Sequence, residues 1–275
     1  MGEKLYHERI EDANFRHAVD LIDTGNPEAL EVFLSQNTAL IHQRIDFNED
    51  GYFNNPCLLE FIAENPVRHG SLPDTIVEIA KIILDLGSKD DVSHLNGTLG
   101  LVASGRVVRE SGVQQELINL LCNYGANPNA AILPALAHGE FEAVELLINN
   151  NATIDLPVAT GTGRLSETKK LLSGPEDQNL QLALSFAAQH GRTEILKLLL
   201  THGADPNLYN PKGAHTFSTP LHQAVISDHL EIVQLLVDAG ARLDLKDTIY
   251  DGTPLDWAIY SQKSEIERYL RLKMT

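Results

Sequence analysis

Apolar residues return along much of this chain at helical spacing, in short paired runs separated by polar turns. The stretch 219–244 shows one pair most clearly. Leu221, Ala224 and Val225 make a short apolar face, a break falls at Asp228-His229, and Ile232, Val233, Leu235, Leu236 and Val237 mark a second, more apolar helix. Thr219 supplies an N-cap, and Pro220 fits the first helical position, where a missing N–H costs nothing. Gly240 ends the second helix in the left-handed conformation that glycine adopts cheaply. The polar stretch from Arg242 to Asp251 turns the chain back. Each unit is therefore helix, tight turn, helix, loop. One such pair cannot bury its apolar side alone, whereas stacked copies can.

Copies are present. Thr219-Pro220-Leu221-His222-Gln223-Ala224 is followed by LEIVQLLVDAGARLD, and Thr253-Pro254-Leu255-Asp256-Trp257-Ala258 by SEIERYLRL. An earlier copy, ALSFAAQHGRTEILKLLLTHGADPN, runs from Ala183 to Asn207. Further back come LINLLCNYGANPN, ALAHGEFEAVELLINNNATID and TIVEIAKIILDLGSKDD. The pattern T-P-L-H-x-A, a Glu-Ile-Val-like stretch, two leucines and G-A-D-x-N resembles the ankyrin repeat. Thr219, Pro220, Leu221, His222, Ala224, Glu231, Leu235, Leu236, Gly240 and Ala241 carry it, with Ala187, Gly191, Glu194, Gly203, Ala204, Asp205 and Asn207 one copy earlier. Upstream counterparts are Gly125, Ala126, Asn127, Ala135, Gly139 and Glu142.

The resemblance implies an all-α solenoid of about eight helix pairs with short hairpin fingers, as one elongated domain. Residues 5–45 are expected to form an N-terminal capping unit, opened by a polar-faced helix from about Glu8 to Ile22, with Asn26-Pro27-Glu28 starting the next helix. Divergent repeats follow over 46–112, with an insertion near 64–74 after which Asp74 or Thr75 caps a helix. Repeats at 113–155 precede a short, degraded unit at 156–179, where Gly161 and Gly163 weaken the first helix. Well-matched repeats fill 180–247, and 248–275 is a polar C-terminal cap. The finger between Asn207 and Thr219 is longer than the family pattern.

In similar proteins the fingers and the two residues before the inter-helix turn bind other proteins. Here those turn positions are Ala137 and His138, Gln189 and His190, Ile226 and Ser227, and Tyr260 and Ser261. The finger tips add Asp50, Tyr52, Tyr209, Lys212, His215, Phe217 and Tyr250. Aromatic residues on such tips serve either as anchors for a partner or as packing of a finger onto its own repeat.

Charge narrows the partner. The chain has 38 acidic and 21 basic residues and a formal net charge of −17. Residues 1–130 hold 20 acidic and 9 basic residues, and 131–275 hold 18 and 12. That sign disfavours nucleic acid and anionic membrane surfaces and favours a protein with a basic patch. No apolar run approaches the ~18 residues of a membrane span. Neither a secretory leader nor a myristoylation signal is read at the N-terminus, where Tyr6 stands in place of Ser or Thr. The expectation is a monomeric, stand-alone, prokaryotic, cytoplasmic protein with two buried free thiols, Cys57 and Cys122.

Catalytic patterns are weak. Asp46-x-Asn48-x-Asp50-Gly51 begins like a calcium loop, but Cys57 stands where the closing Glu belongs. His190, His202, His215, His222 and His229 cluster in sequence without metal-ligand spacing. The resemblance gives His222 a structural role, its imidazole bonding loop backbone. Gly161-x-Gly163 lacks the third glycine and the strand of a dinucleotide loop. No cofactor and no catalytic or metal residue is assigned. The function expected is a non-enzymatic adaptor that binds a protein partner on the concave face of the repeat stack. The alternatives are a metal-dependent hydrolase using finger histidines and acids, or an acidic mimic of nucleic acid.

Overall fold

The computed structural model describes residues 9–47, 55–65, 67–173 and 179–274. Asn48, Asp50 and Gly51 of the calcium-like stretch, and the finger aromatics Tyr52 and Phe53, lie outside the described residues. Among the described residues the structure is helical, with one isolated antiparallel bridge between Arg44 and Cys57. It falls into two compact units, Met1–Ala152 and Thr153–Thr275.

The first unit holds α1 (Ala13–Asp23), α2 (Pro27–Gln36), a 3₁₀ turn over Leu58–Ala63, α3 (Ile76–Asp85), α4 (Val92–Ser104), α5 (Arg106–Glu110), α6 (Gln114–Asn123), α7 (Ile132–Ala137) and α8 (Phe141–Asn149). The Asp12 carboxylate accepts the Asn14 and Phe15 N–H groups at 2.9 and 3.0 Å. That cap starts α1 at Ala13, later than the start near Glu8 expected from its polar face. Asn26 caps α2 through Ala29 at 3.1 Å, with Pro27 at its first position, as expected. Thr75 stands at the N-cap position of α3, but its hydroxyl donates 3.0 Å to the Gly25 carbonyl.

The Leu58–Ala63 turn is buried throughout, so no polar face marks it as helical in sequence. Glu64 ends it in the left-handed region, at φ 51°. Beyond it, Arg68 anchors the inserted segment. Its side chain is 0% exposed and donates to Asp23 through Nε at 3.0 Å and Nη2 at 2.6 Å, and to the Phe61 carbonyl at 2.9 Å. Glu64 lies 3.7 Å from the same guanidinium. The buried cation is matched by two buried carboxylates, the condition under which charge survives in a core.

Among its described residues the second unit holds four helix pairs: α9 (Leu156–Gly161) and α10 (Leu165–Leu172), α11 (Leu180–Gln189) and α12 (Thr193–Thr201), α13 (Pro220–Ile226) and α14 (Leu230–Asp238), α15 (Pro254–Tyr260) and α16 (Ser264–Lys273). The short unit at 156–172 forms both of its helices. Asp155 caps the first by accepting from Val158 N–H at 3.0 Å, which offsets the weak helix propensity of Gly161. First helices pack in the order α9, α11, α13, α15, and second helices in the order α10, α12, α14, α16. Ala187, Ala224 and Ala258 occupy equivalent places on successive first helices and are fully buried, so these backbones lie close together. Leu196, Leu199, Leu221, Leu236, Ile266 and Leu270 fill the space between layers.

Neighbouring hairpins are also tied by the residue that follows each inter-helix turn. Arg192 Nε donates to the Gly161 carbonyl at 2.9 Å, His229 Nε2 to the Gln189 carbonyl at 3.2 Å, and Lys263 pairs with Asp228 at 3.3 Å. The His229 ring lies so close to Gly191 (φ +66°) that a Cβ there would sit 2.8 Å from its Cε1. In the first unit Arg109 donates to Glu140, the corresponding residue. Burial, opposed by the bond to Gln189, lowers the pKa of His229 and favours its neutral form.

Candidate functional site

The site grows out of the last two fingers. Two first helices, α13 and α15, open with the Thr-Pro start that the sequence signals. At α13, Thr219 N–H and Oγ1 donate to His222 Nδ1 at 3.3 and 2.8 Å. This leaves Nε2–H to donate 3.1 Å to the Gly252 carbonyl of the next repeat. The imidazole thus bonds loop backbone, as the family resemblance implied. Burial lowers its pKa and favours the neutral ring that this pattern requires. At α15, Asp256 takes the place of His222 and caps its own helix, accepting from Thr253 N–H at 2.9 Å and Thr253 Oγ1 at 2.6 Å.

Asp247 fastens the last finger. Only 2% exposed, it accepts the N–H groups of Ile249 (2.9 Å), Tyr250 (2.6 Å) and Gly252 (3.0 Å) and the indole N–H of Trp257 (2.9 Å). Burial pushes its pKa up, but these four donors outweigh burial and hold it below the usual carboxylate range. Thr248 N–H donates 2.8 Å to the Phe217 carbonyl, joining this finger to the preceding one. That preceding, longer finger is closed by Asn210. It accepts from Ser185 Oγ at 2.7 Å and donates to His215 O and Ser218 Oγ at 3.2 Å each.

Between the fingers and the ends of α11, α13 and α15 lies a groove of about 640 Å³. Its lining residues are Gln189, His215, Phe217, Gln223, Ile226, Ser227, Tyr250, Gly252, Asp256, Trp257 and Tyr260. Phe217 is its central ring. Trp257 lies 6.1 Å from it at 37°, Tyr250 6.4 Å at 87°, and His215 6.0 Å at 70°. Tyr250 and Tyr260 are 75% and 89% exposed, and Ile226 is exposed at the rim.

Seven residues expected from the sequence to face a partner therefore share one surface: Gln189, His215, Phe217, Ile226, Ser227, Tyr250 and Tyr260. Others fall elsewhere in the second unit. His190 stacks on Phe186 at 6.0 Å, Ser261 donates to the Trp257 carbonyl, and Tyr209 donates its hydroxyl to Lys246 O at 2.6 Å. Lys212 is exposed on the long finger. Ala137 (half-buried) and His138 (exposed) stand at the α7–α8 turn of the first unit. Asp50 and Tyr52 lie outside the described residues. Nothing in the repeat pattern marks Asp247, Gln223, Asp256 or Trp257 as site residues, although Trp257 is the chain's single tryptophan and directly follows the residue in the His222 position.

Among the described residues no group of three or more His, Cys, Asp or Glu side chains could hold a metal. His222, His229 and His202 each engage a backbone carbonyl, so the histidine cluster of the sequence is dispersed in space. No helix of the described residues is long and apolar enough to cross a membrane. Cys57 is fully buried beside Glu60, and burial foremost pushes its pKa up to about 12. Cys122, expected to be buried as well, is only half-buried on α6.

A family model described as ankyrin repeats (3 copies) matches residues 105–210, 156–248 and 184–274, together more than half of the chain. The chain belongs to the ankyrin-repeat family. Among its ankyrin-repeat relatives, cyclin-dependent kinase 4 inhibitor B of Bos taurus is 30% identical over 135 residues, which cover 46% of this chain and 96% of the relative. Cyclin-dependent kinase inhibitor 2A of Homo sapiens is 32% identical over 120 residues, covering 42% and 74%. Ankyrin repeat and SOCS box protein 6 of Pongo abelii is 40% identical over 76 residues, covering 28% and 17%. These relatives are mammalian and lend no support to a prokaryotic source.

Proposed function

We propose that this chain is a non-enzymatic protein-binding module, and that the groove between the last two fingers is its principal docking surface. The observation that carries this reading is the cluster of exposed Tyr250 and Tyr260 with Phe217 and Trp257, standing on a rigid base of buried hydrogen bonds. Aromatic side chains on a fixed scaffold lose little entropy on binding and are enriched among the few residues that carry most of the energy at protein interfaces. Ile226 and Tyr260, exposed at the rim, extend the apolar surface that the groove offers to another molecule.

Relatives named as inhibitors of cyclin-dependent kinases support a protein partner, because such a protein acts by engaging another protein. The net charge of −17 favours a partner with a basic patch, whose approach it would steer. We place the protein in the cytoplasm, acting as a monomer; its free thiols suit a reducing compartment. The test compares the immobilised chain with its Tyr250→Ala/Tyr260→Ala variant for capture of proteins from a soluble extract at low salt. Proteins held by the parent and lost by the variant support the reading. Equal capture by both, or none by either, overturns it.

A further inference from the structure

The groove combines three properties that an ordinary apolar slot does not share. Its lining includes the rings of Phe217, Tyr250, Trp257 and Tyr260. It contains a carboxylate, Asp256, whose two bonds from Thr253 both fall on Oδ2 and hold the group ionised at neutral pH. Among the described residues its lining holds no lysine or arginine; Lys246, already paired with Asp251 at 2.7 Å, acts on Asp256 from outside the groove and leaves the carboxylate open to a second cation. A neutral apolar side chain filling this space would strip water from Asp256 and return nothing to it. A cation would gain from the carboxylate and from the negative faces of the rings together.

The shape selects among cations. A guanidinium is flat, so it can lie on one ring while its edge presents a fork of N–H donors to a carboxylate. An ammonium offers neither the plane nor the fork. The volume of about 640 Å³ holds a long side chain together with part of the backbone that bears it. Resting on the docking role proposed above, we infer that the groove seats an arginine side chain from a basic segment of the partner, stacked on the Phe217–Trp257–Tyr250 rings and paired with Asp256.

The experiment titrates the intact chain with short capped peptides and follows the emission of Trp257, the chain's single tryptophan. One peptide carries arginine between leucine and glycine. The others replace that arginine with citrulline, norleucine or lysine. The arginine peptide is expected to bind about 10-fold tighter than the citrulline and norleucine forms, with lysine between, and to weaken as salt rises. Tyr260→Ala, at an exposed position that leaves folding intact, and Asp256→Asn are each expected to weaken the arginine peptide by about 3- to 10-fold without affecting the norleucine form equally. Citrulline or lysine binding as tightly as arginine overturns the inference. Tightest binding by norleucine also overturns it, yet leaves the groove standing as a docking surface. No saturable response to any peptide, together with unchanged capture by the Tyr250→Ala/Tyr260→Ala variant, removes both readings.

Discussion

Replacing Asp247 by alanine isolates the clasp beneath the groove. Four donors lose their common acceptor: the N–H groups of Ile249, Tyr250 and Gly252, and the Trp257 indole. A hydrogen bond to a charged group contributes about 1.5–3 kcal/mol net. The four do not add, because Ile249 and Tyr250 are exposed and their amides regain water when the carboxylate is gone. Gly252 and Trp257 are only partly exposed and face the groove, so their donors recover less. The expected loss for Asp247→Ala is about 3–4 kcal/mol, and about 2 kcal/mol for Asp247→Asn, which keeps one acceptor and turns a donor toward the rest. Urea unfolding followed by Trp257 emission and by far-ultraviolet circular dichroism measures both the size and the place of the effect. Repeat hairpins are stabilised by their neighbours, so the emission midpoint should fall further than the dichroism midpoint. If Asp247→Ala unfolds within about 0.5 kcal/mol of the parent by both probes, the clasp does not hold the finger and the reasoning fails.

Arg68→Met is expected to cost about 3–5 kcal/mol, measured by denaturant unfolding, because it leaves Asp23 and Glu64 buried without their cation. Gly191→Ala should lose about 2–3 kcal/mol from left-handed strain and collision with His229, and the loss should shrink in a His229→Ala background, a coupling read from the double-mutant cycle. Stability should also fall in two acid steps. The folded pKa values of His222 and His229 lie below the ordinary 6.5, so the unfolded chain takes up protons first. Their contribution is whole above 6.5, and its loss is complete once pH is below the folded values. Asp247, held below 3.8, contributes above that value and is lost as pH falls through its folded pKa. A His222→Gln/His229→Gln variant should flatten the first step and leave the second, as followed by unfolding at a series of pH values.

Legibility of the fold tracked how far each signal reached along the chain. The caps at Asn26, Thr219 and Thr253 and the left-handed Gly240 act within a few residues, and their elements stand where the sequence put them. The Leu58–Ala63 turn carried no such signal, because a run buried on every side has no period to read. The Arg68 anchor was also hidden, since its partner Asp23 is distant in sequence and only the fold makes them neighbours. At the candidate site, ranking positions by their place in the repeat found the exposed rim, from Ile226 to Tyr250 and Tyr260. It passed over Asp247, which read as one more acid in a polar turn, and Asp256 and Trp257, which read as repeat framework. Their roles come from bonds closed around the turn, between Asp247 and Trp257, and from His222 reaching into the next finger.

The bond from His222 to the Gly252 carbonyl has a consequence for turnover. It spans two hairpins, so the α15–α16 hairpin cannot peel away from its neighbour without giving up the wall that Tyr250 and Trp257 build. A bound partner would then act as a peg, keeping that hairpin from proteases that attack locally opened segments. The abundance of the protein in a cell would follow the supply of whatever fills the slot.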